Sequence, residues 1–266
     1  ASVVAAKLPP AGDLWLFAYG SLIWRPEFPT IEQRPARLDG WQRRFPMRVL
    51  RYRGTLDNPG LMMGLLPGGY CDGVVQRVLR EQAPARLRQL VRREMSSKPP
   101  TNTLTFVDVV DADGVALTAL TITASSSGRY YCGELPIETT AAILASACGH
   151  WGSGAQYLHD TIVSLERWTT LSKELAGRNA PLGVRLRSDQ SPAGIAGDLH
   201  RFSLVALEFP TFKDGRAFSH ARLLRERYGA MPSLAARSAR FVPRIRTPSP
   251  TTSLFVRLRI RRFLAC

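Results

Sequence analysis

The sequence is short of long apolar runs, of cysteine and histidine, and of acidic residues. Its apolar runs fall far short of the roughly 20 residues that a membrane-spanning helix needs. Its four cysteines, Cys71, Cys132, Cys148 and Cys266, form no Cys-x-x-Cys pair and have no metal-ligand spacing with the four histidines. The first ten residues lack the apolar segment of a secretory signal. We therefore expect a cytoplasmic protein with reduced thiols and no membrane partner.

The shortage of acids leaves a basic chain, with 36 Lys and Arg against 21 Asp and Glu and a net charge of +15. Eight of these excess charges are arginines within residues 230–266, where there is no acid, so seven remain for the first 229 residues. A modestly basic body would attract an acidic small molecule. The alternative is a nucleic acid or other polyanion bound by the tail. A nucleic-acid partner is not expected, because few aromatics accompany these arginines and no groove-reading motif is present.

The order of the local patterns predicts an α+β protein, because strands come first and a helix, a hairpin and further helices follow. The apolar run at residues 14–18 is typical of a strand with both faces buried. Asp-Ala-Asp-Gly at residues 111–114 is a strong hairpin signal. The expected elements, in chain order, are a strand at 14–18, one or two strands within 37–52, a strand at 61–66, a turn at Gly68-Gly69 with its hairpin partner at 73–79, a helix at 84–95, strands at 103–110 and 115–123, a helix at 137–148 capped by Gly149, and a helix at 153–171.

A candidate binding loop follows the first strand, where Gly20 and Ser21 come directly after Tyr19. A glycine at the end of a buried strand lets the chain turn sharply and leaves backbone N–H groups free to approach a ligand. Such a place can hold a carboxylate or a carbonyl oxygen. A plain turn is the alternative interpretation of Gly-Ser after a strand.

Glu94 stands out within the helix expected at residues 84–95, because it falls on the apolar face one heptad after Leu87. Loss of hydration would raise its pKa, and the negative end of the helix dipole would raise the pKa further. A carboxylate with a raised pKa can act as a base on an amine. The alternatives are a salt bridge to Arg92 or Arg93, or fraying of the helix end into water.

Three separated blocks of the sequence resemble the ChaC-type γ-glutamylcyclotransferases, and the resemblance covers about residues 14–171. The blocks are Tyr-Gly-Ser-Leu-Ile-Trp at 19–24, followed by Gly40-Trp41, Arg43-Arg44-Phe45 and Arg53-Gly54-Thr55; Arg93-Glu94-Met95; and Gly-x-x-Gly-x-x-Ala-Gln-Tyr-Leu at 149–158. Tyr131 also resembles a family tyrosine that precedes the late helix. One departure is that family members have a tyrosine about six residues after the Arg-Glu-Met block, where this chain reads Ser-Ser-Lys-Pro-Pro-Thr at 96–101.

The resemblance implies a small mixed β-barrel with flanking helices, and an enzyme that uses no metal or organic cofactor. It implies that the free amine of a γ-glutamyl group attacks its own γ-carbonyl, releasing 5-oxoproline and, from glutathione, Cys-Gly. Glu94 would be the catalytic base. The substrate-binding candidates are Tyr19, Gly20, Ser21, Leu22, Arg53, Tyr131 and Tyr157. Other γ-glutamyl amines or dipeptides are the alternative substrates.

A second resemblance begins near Asp198, where residues 204–229 look like an uncharacterised family encoded beside assimilatory sulfite-reduction genes. Beyond Gly229 the chain is rich in Arg, Pro and Ser without acids, which is typical of a poorly ordered extension. We therefore expect a cyclotransferase-like domain at 12–185, a linker and truncated second unit at 186–229, and a tail at 230–266.

Overall fold

The structure, a computed structural model, describes residues 8–9 and 11–179. Five strands close into a barrel in the order β1-β3-β2-β4-β5. The strands are β1 (Leu14–Ala18), β2 (Glu32–Val49), β3 (Gly60–Val78), β4 (Asn102–Asp111) and β5 (Ala116–Ala124). All neighbouring pairs are antiparallel except β1 and β5, which pair in parallel at Leu16 and Leu120 and so close the barrel. The mixed barrel expected from the sequence is confirmed.

The first strand lies at the centre of the core. Leu14, Leu16, Phe17 and Ala18 are all buried, and the strand pairs with β3 on one side and β5 on the other. A strand that is buried on both faces has no solvent-facing positions for polar side chains, so its sequence is a continuous apolar run. The predicted and observed bounds of β1 coincide.

The expected turn at Gly68-Gly69 is wrong, because β3 continues through these residues and stays paired with β2 along both its halves. Gly68 and Gly69 have φ values of 113° and 60°, and Gly40 on the facing strand has φ 78°. The register shifts between Asp39 and Trp41, at the same level. Glycines in left-handed conformations thus form a bulge that bends both strands, and such bends let a sheet close on itself. The strand expected within 37–52 accordingly begins earlier, at Glu32.

The described residues also include four helices. They are α1 (Ser21–Trp24), α2 (Ala83–Glu94), α3 (Ile137–Ser146) and α4 (Gly154–Asn179). The helix α3 ends two residues before Cys148, and Gly149 is not its cap. Instead β6 (Cys148–Gly149) pairs with β7 (Gly152–Ser153) in a short ladder that leads into α4. The helix α4 packs on the core through Ala155, Leu158, Ile162 and Leu165, as its apolar period predicts.

Within the described residues, no helix combines the length and the apolar character that crossing a bilayer requires. The units expected at 186–229 and 230–266, and the last residues of the 12–185 domain, lie outside the described residues.

Candidate active site

The turn after β1, the end of β2 with the loop that follows it, the C-terminal end of α2 and the start of α4 contribute to the wall of one cavity of about 1080 Å³. Four of the residues expected at the site line it, namely Ser21, Arg53, Glu94 and Tyr157. The first and the third come from places more than 70 residues apart in the sequence. The barrel brings them together because β1 and the strand that precedes α2 are paired neighbours.

The residues at 19–22 form a turn that leads directly from β1 into the four-residue helix α1. The carbonyl of Gly20 accepts a hydrogen bond from Ile23 N at 2.9 Å, and that of Ser21 accepts one from Arg25 N at 2.7 Å. The first N–H groups of such a turn have no intrahelical acceptor. They are therefore available to an oxyanion or a carboxylate.

Arg43 anchors the turn at 19–22 by hydrogen bonds to the backbone. Its role at the site was not predicted from the sequence. Arg43 is 5% exposed, and its Nε donates to the carbonyl of Tyr19 at 2.7 Å while Nη2 donates to the carbonyl of Asp72. The strand period of two gave a signal for it, because Arg43 lies two residues before the buried Phe45, ahead of the register shift that follows Arg44.

Glu94 is the last residue of α2, and its side chain is only 15% exposed. Burial raises its pKa, against the opposite effect of Arg93, whose Nε lies 2.9 Å from Oε1. The salt bridge offered as an alternative role is therefore present, but it does not cancel the cost of burial. The other oxygen, Oε2, has no hydrogen-bond partner among the described residues. Asn102 fixes the backbone here, since its Nδ2 donates to the carbonyl of Glu94 at 2.8 Å.

Arg93 joins the glutamate to the turn at 19–22. Its Nη2 donates to Ser21 Oγ at 3.0 Å, and its Nη1 donates to the carbonyl of Arg25 at 3.0 Å and lies 3.1 Å from Glu27 Oε2. One guanidinium thus contacts the candidate base, the binding turn and a second carboxylate. Sequence placed Arg93 beside Glu94 but gave no sign of its other partners.

Tyr157 is a buried hydroxyl at the start of α4. A Cβ added at Gly20 would lie 3.1 Å from this hydroxyl, so the glycine is what allows the tyrosine to approach the turn. Burial, with a smaller contribution from the charge of Glu94, raises the pKa of Tyr157 to about 12. The hydroxyl therefore stays protonated at neutral pH and can donate a hydrogen bond.

Arg53 is buried beside this tyrosine, with its guanidinium carbon 5.4 Å from the Tyr157 ring centroid and 5.8 Å from that of Trp24. Its Nη1 donates to the carbonyl of Ser153 at 2.9 Å, and burial lowers its pKa. The preceding Tyr52 has φ 64°, and among the described residues it is the one non-glycine residue with positive φ. This conformation turns Arg53 inward while Tyr52 stays partly exposed.

The other predicted binding residues lie around the cavity without being part of its wall, as far as the described chain goes. Tyr19, Gly20 and Leu22 belong to the turn at 19–22, and Tyr131 bridges to Met47. The neighbouring Tyr130 lines the cavity in place of Tyr131. Among the described residues, no group of three or more His, Cys, Asp or Glu side chains is placed to hold a metal ion.

Comparison with known proteins places this architecture among the γ-glutamyl cyclotransferases. A solved structure of the glutathione-specific γ-glutamyl cyclotransferase from yeast matches with a TM-score of 0.56 at 20% identity, covering 72% of this chain and 97% of that one. The fold is thus a cyclotransferase fold. The model of the ChaC-like protein family matches residues 14–175, and the chain belongs to that family.

Curated relatives match the same region. The glutathione-specific gamma-glutamylcyclotransferase of Escherichia coli is 34% identical over 161 residues, covering 59% of this chain and 69% of the relative. Glutathione-specific gamma-glutamylcyclotransferase 1 of Homo sapiens is 34% identical over 148 residues, covering 54% and 66%. The chain therefore spans about two thirds of the length of these relatives. Residues 183–242 match a second family, described as a bacterial protein of unknown function, which agrees with the second resemblance in the sequence.

Proposed function

We propose that this protein is a γ-glutamylcyclotransferase that degrades glutathione. The α-amine of the γ-glutamyl group attacks its own γ-carbonyl, a C–N bond closes the five-membered ring, and the bond to the cysteine nitrogen breaks. The products are 5-oxoproline and Cys-Gly. The relatives named above carry this activity in their names, and the family membership supports it here.

The observation that carries the assignment of roles is a largely buried carboxylate, Glu94, on the same cavity as the turn at 19–22. Ring closure is intramolecular, so orientation supplies much of the acceleration and few catalytic groups are needed. A base is needed, because the amine is protonated at neutral pH. In the proposal Glu94 takes the ammonium proton on Oε2 and later passes a proton to the leaving amine.

The γ-carbonyl oxygen gains negative charge as the ring closes and needs donors. In our proposal the N–H group of Ser21, which lines the cavity, supplies one, and the N–H groups of Gly20 and Leu22 lie beside it in the same turn. The Tyr157 hydroxyl is a further donor. Arg53 supplies positive charge for the α-carboxylate. Tyr19 anchors the turn, since its carbonyl accepts a hydrogen bond from Arg43, and Tyr131 lies beside the wall residue Met47.

The location and the domain roles belong to the same proposal. We place the enzyme in the cytoplasm, because the three cysteines within the described residues are free thiols. We assign the activity to residues 12–185 alone. Other γ-glutamyl amines or dipeptides remain the alternative substrates, and polyanion binding by the tail at 230–266 is the alternative from a different class.

The test is to incubate the protein with glutathione and to quantify 5-oxoproline and Cys-Gly. We expect both products in equal amounts from the parent protein and at least a hundredfold less from Glu94→Gln, given the roughly 10²–10⁴-fold that a positioned base contributes. Glu138→Gln is the matched control, because this glutamate is exposed in the first turn of α3. Equal rates from the parent and Glu94→Gln would remove Glu94 from the mechanism.

A further inference from the structure

A second group of charges lines the same cavity, away from the roles assigned above. Arg48, Lys98 and Arg129 come from three different segments, and all three belong to the cavity wall. We call these three residues the basic wall.

Two backbone contacts hold the segments of the basic wall together. Arg48 N donates to the carbonyl of Tyr130 at 2.8 Å, so the segment after β5 runs along β2. Arg129 N donates to the carbonyl of Pro99 at 3.4 Å, so the loop that carries Lys98 lies against the same segment. The three segments that carry these cations are therefore held next to one another by backbone hydrogen bonds.

The basic wall has no carboxylate to neutralise it. The acids that line the cavity, Glu27 and Glu94, are both paired with Arg93. Within the described part of the chain, Arg48, Lys98 and Arg129 have no ion-pair partner, and the guanidinium of Arg129 lies 5.6 Å from the Tyr130 ring centroid. Unneutralised cations in a concave site concentrate anions there.

The inference rests on the proposed function and concerns the part of the substrate that leaves. The carboxylate and amine of the γ-glutamyl group are needed near Glu94, where the ring closes. Glutathione has a second carboxylate at its glycine end, two residues away, which is roughly 7 Å of extended chain. A cavity of about 1080 Å³ is slightly larger than most small-molecule sites, so it has room for the whole peptide.

We propose that the basic wall binds the C-terminal carboxylate of the leaving peptide, and that it makes the enzyme selective for γ-glutamyl peptides over γ-glutamyl amines. Arginine suits this role because its planar fork of N–H donors matches a carboxylate. The carboxylate is remote from the reacting atoms, so the interaction is the same in the ground state and the transition state. Its loss raises KM and leaves kcat little changed.

The test compares glutathione with the same peptide ending in a glycinamide, using the full chain. The parent protein should show a higher kcat/KM for the acid than for the amide, and added salt should reduce that ratio. Arg48→Gln and Arg129→Gln should each reduce the ratio about two- to fivefold, the range for partly exposed ion pairs, and the double variant about tenfold. Arg88→Gln is the matched control, because this arginine is exposed on α2 outside the cavity wall.

Three outcomes separate the inference from the proposed function. A parent ratio near one, or variants that slow both peptides equally, would overturn the basic wall while leaving the cyclotransferase intact. No 5-oxoproline from either peptide would overturn the proposed function. In that case calorimetric binding of the acid and the amide still tests the basic wall, since equal affinities would contradict it.

Discussion

Arg93 controls the charge environment of Glu94, and removing its charge should move the acid limb of the pH–rate profile. Burial raises the pKa of Glu94, Arg93 lowers it, and the nearby charge of Glu27 raises it. Arg93 lies between the two carboxylates, 2.9 Å from Glu94 Oε1 and 3.1 Å from Glu27 Oε2. The variants Arg93→Gln and Glu27→Gln therefore remove charges of opposite sign from the same place.

The sign follows from the role of the base. Glu94 must be ionised to accept a proton, so kcat/KM falls at low pH as Glu94 becomes protonated. An opposite charge in contact with a carboxyl lowers its pKa by about 1–3 units. Arg93→Gln should thus move the acid limb up by at least about one unit, or roughly 1.4 kcal/mol. Glu27→Gln should move it down by less, because the Glu27 side chain is 32% exposed and screened by water.

The assay is kcat/KM for glutathione between about pH 4 and pH 9, with the melting temperature of each variant as a check on folding. Both variants break the same Arg93–Glu27 ion pair, so a purely structural effect would act in the same direction in both. Where Arg93→Gln turns over too slowly to assay, a carbon-13 NMR titration of the Glu94 carboxyl measures the same pKa directly. Shifts of the same sign in both variants, or no shift in either, would refute the reasoning.

Three further predictions concern the same site. Because burial raises the pKa of Glu94, the native state holds the proton of this carboxyl more tightly than the unfolded state does. The free energy of unfolding therefore falls as the pH rises through the native pKa. Glu94→Gln should melt at a higher temperature than the parent at pH 8, and the difference between the two melting temperatures should close towards pH 4. Tyr157→Phe should lower kcat by up to about 10²–10³-fold with little change in KM, as measured by steady-state kinetics, if its hydroxyl stabilises the oxyanion. Gly54→Ala should lower the free energy of unfolding by more than about 4 kcal/mol in urea titrations, because the new Cβ would lie 2.3 Å from Gly60 N. Its control, Gly133→Ala, meets no atom within 4 Å and should cost only about 1 kcal/mol for its positive φ.

The parts of the fold with local signals could be predicted from the sequence, and the closure of the barrel could not. The strand β1 is a buried apolar run, and the turn after β4 has an Asp-Gly pair with Gly114 at φ 82°. Each of these two patterns is contained in a stretch of about five residues, so it can be recognised without knowing the partner strand. The long pairing of β2 with β3 depends instead on facing bulges at Gly40 and at Gly68-Gly69. A bulge of this kind can be recognised only when the partner strand and its register are known. A pair of glycines read in isolation therefore predicted a turn.

At the site, too, features with a local sequence pattern could be predicted and features that depend on barrel closure could not. The helical period placed Glu94 on the apolar face, and its side chain is largely buried. The environment of Arg93 depends on where the residues after α1 lie, and that position follows from barrel closure. The choice between Tyr130 and Tyr131 as a cavity residue depends on a single bridge between Tyr131 and Met47. A shift of one residue in that bridge would exchange the two side chains.

Burial and the Arg93 charge have opposite effects on the pKa of Glu94, and a base needs a pKa between the two extremes. This explains why the buried carboxylate is paired with an arginine through one oxygen only. Full neutralisation by Arg93 would lower the pKa of Glu94 and make it a poor acceptor for an ammonium proton. Burial with no partner would keep it protonated and inactive. The pairing of Oε1 with Arg93, with Oε2 unpaired in the described chain, lies between these extremes. Because Arg93 also holds Ser21, the charge of the base and the position of the turn at 19–22 are coupled through one side chain.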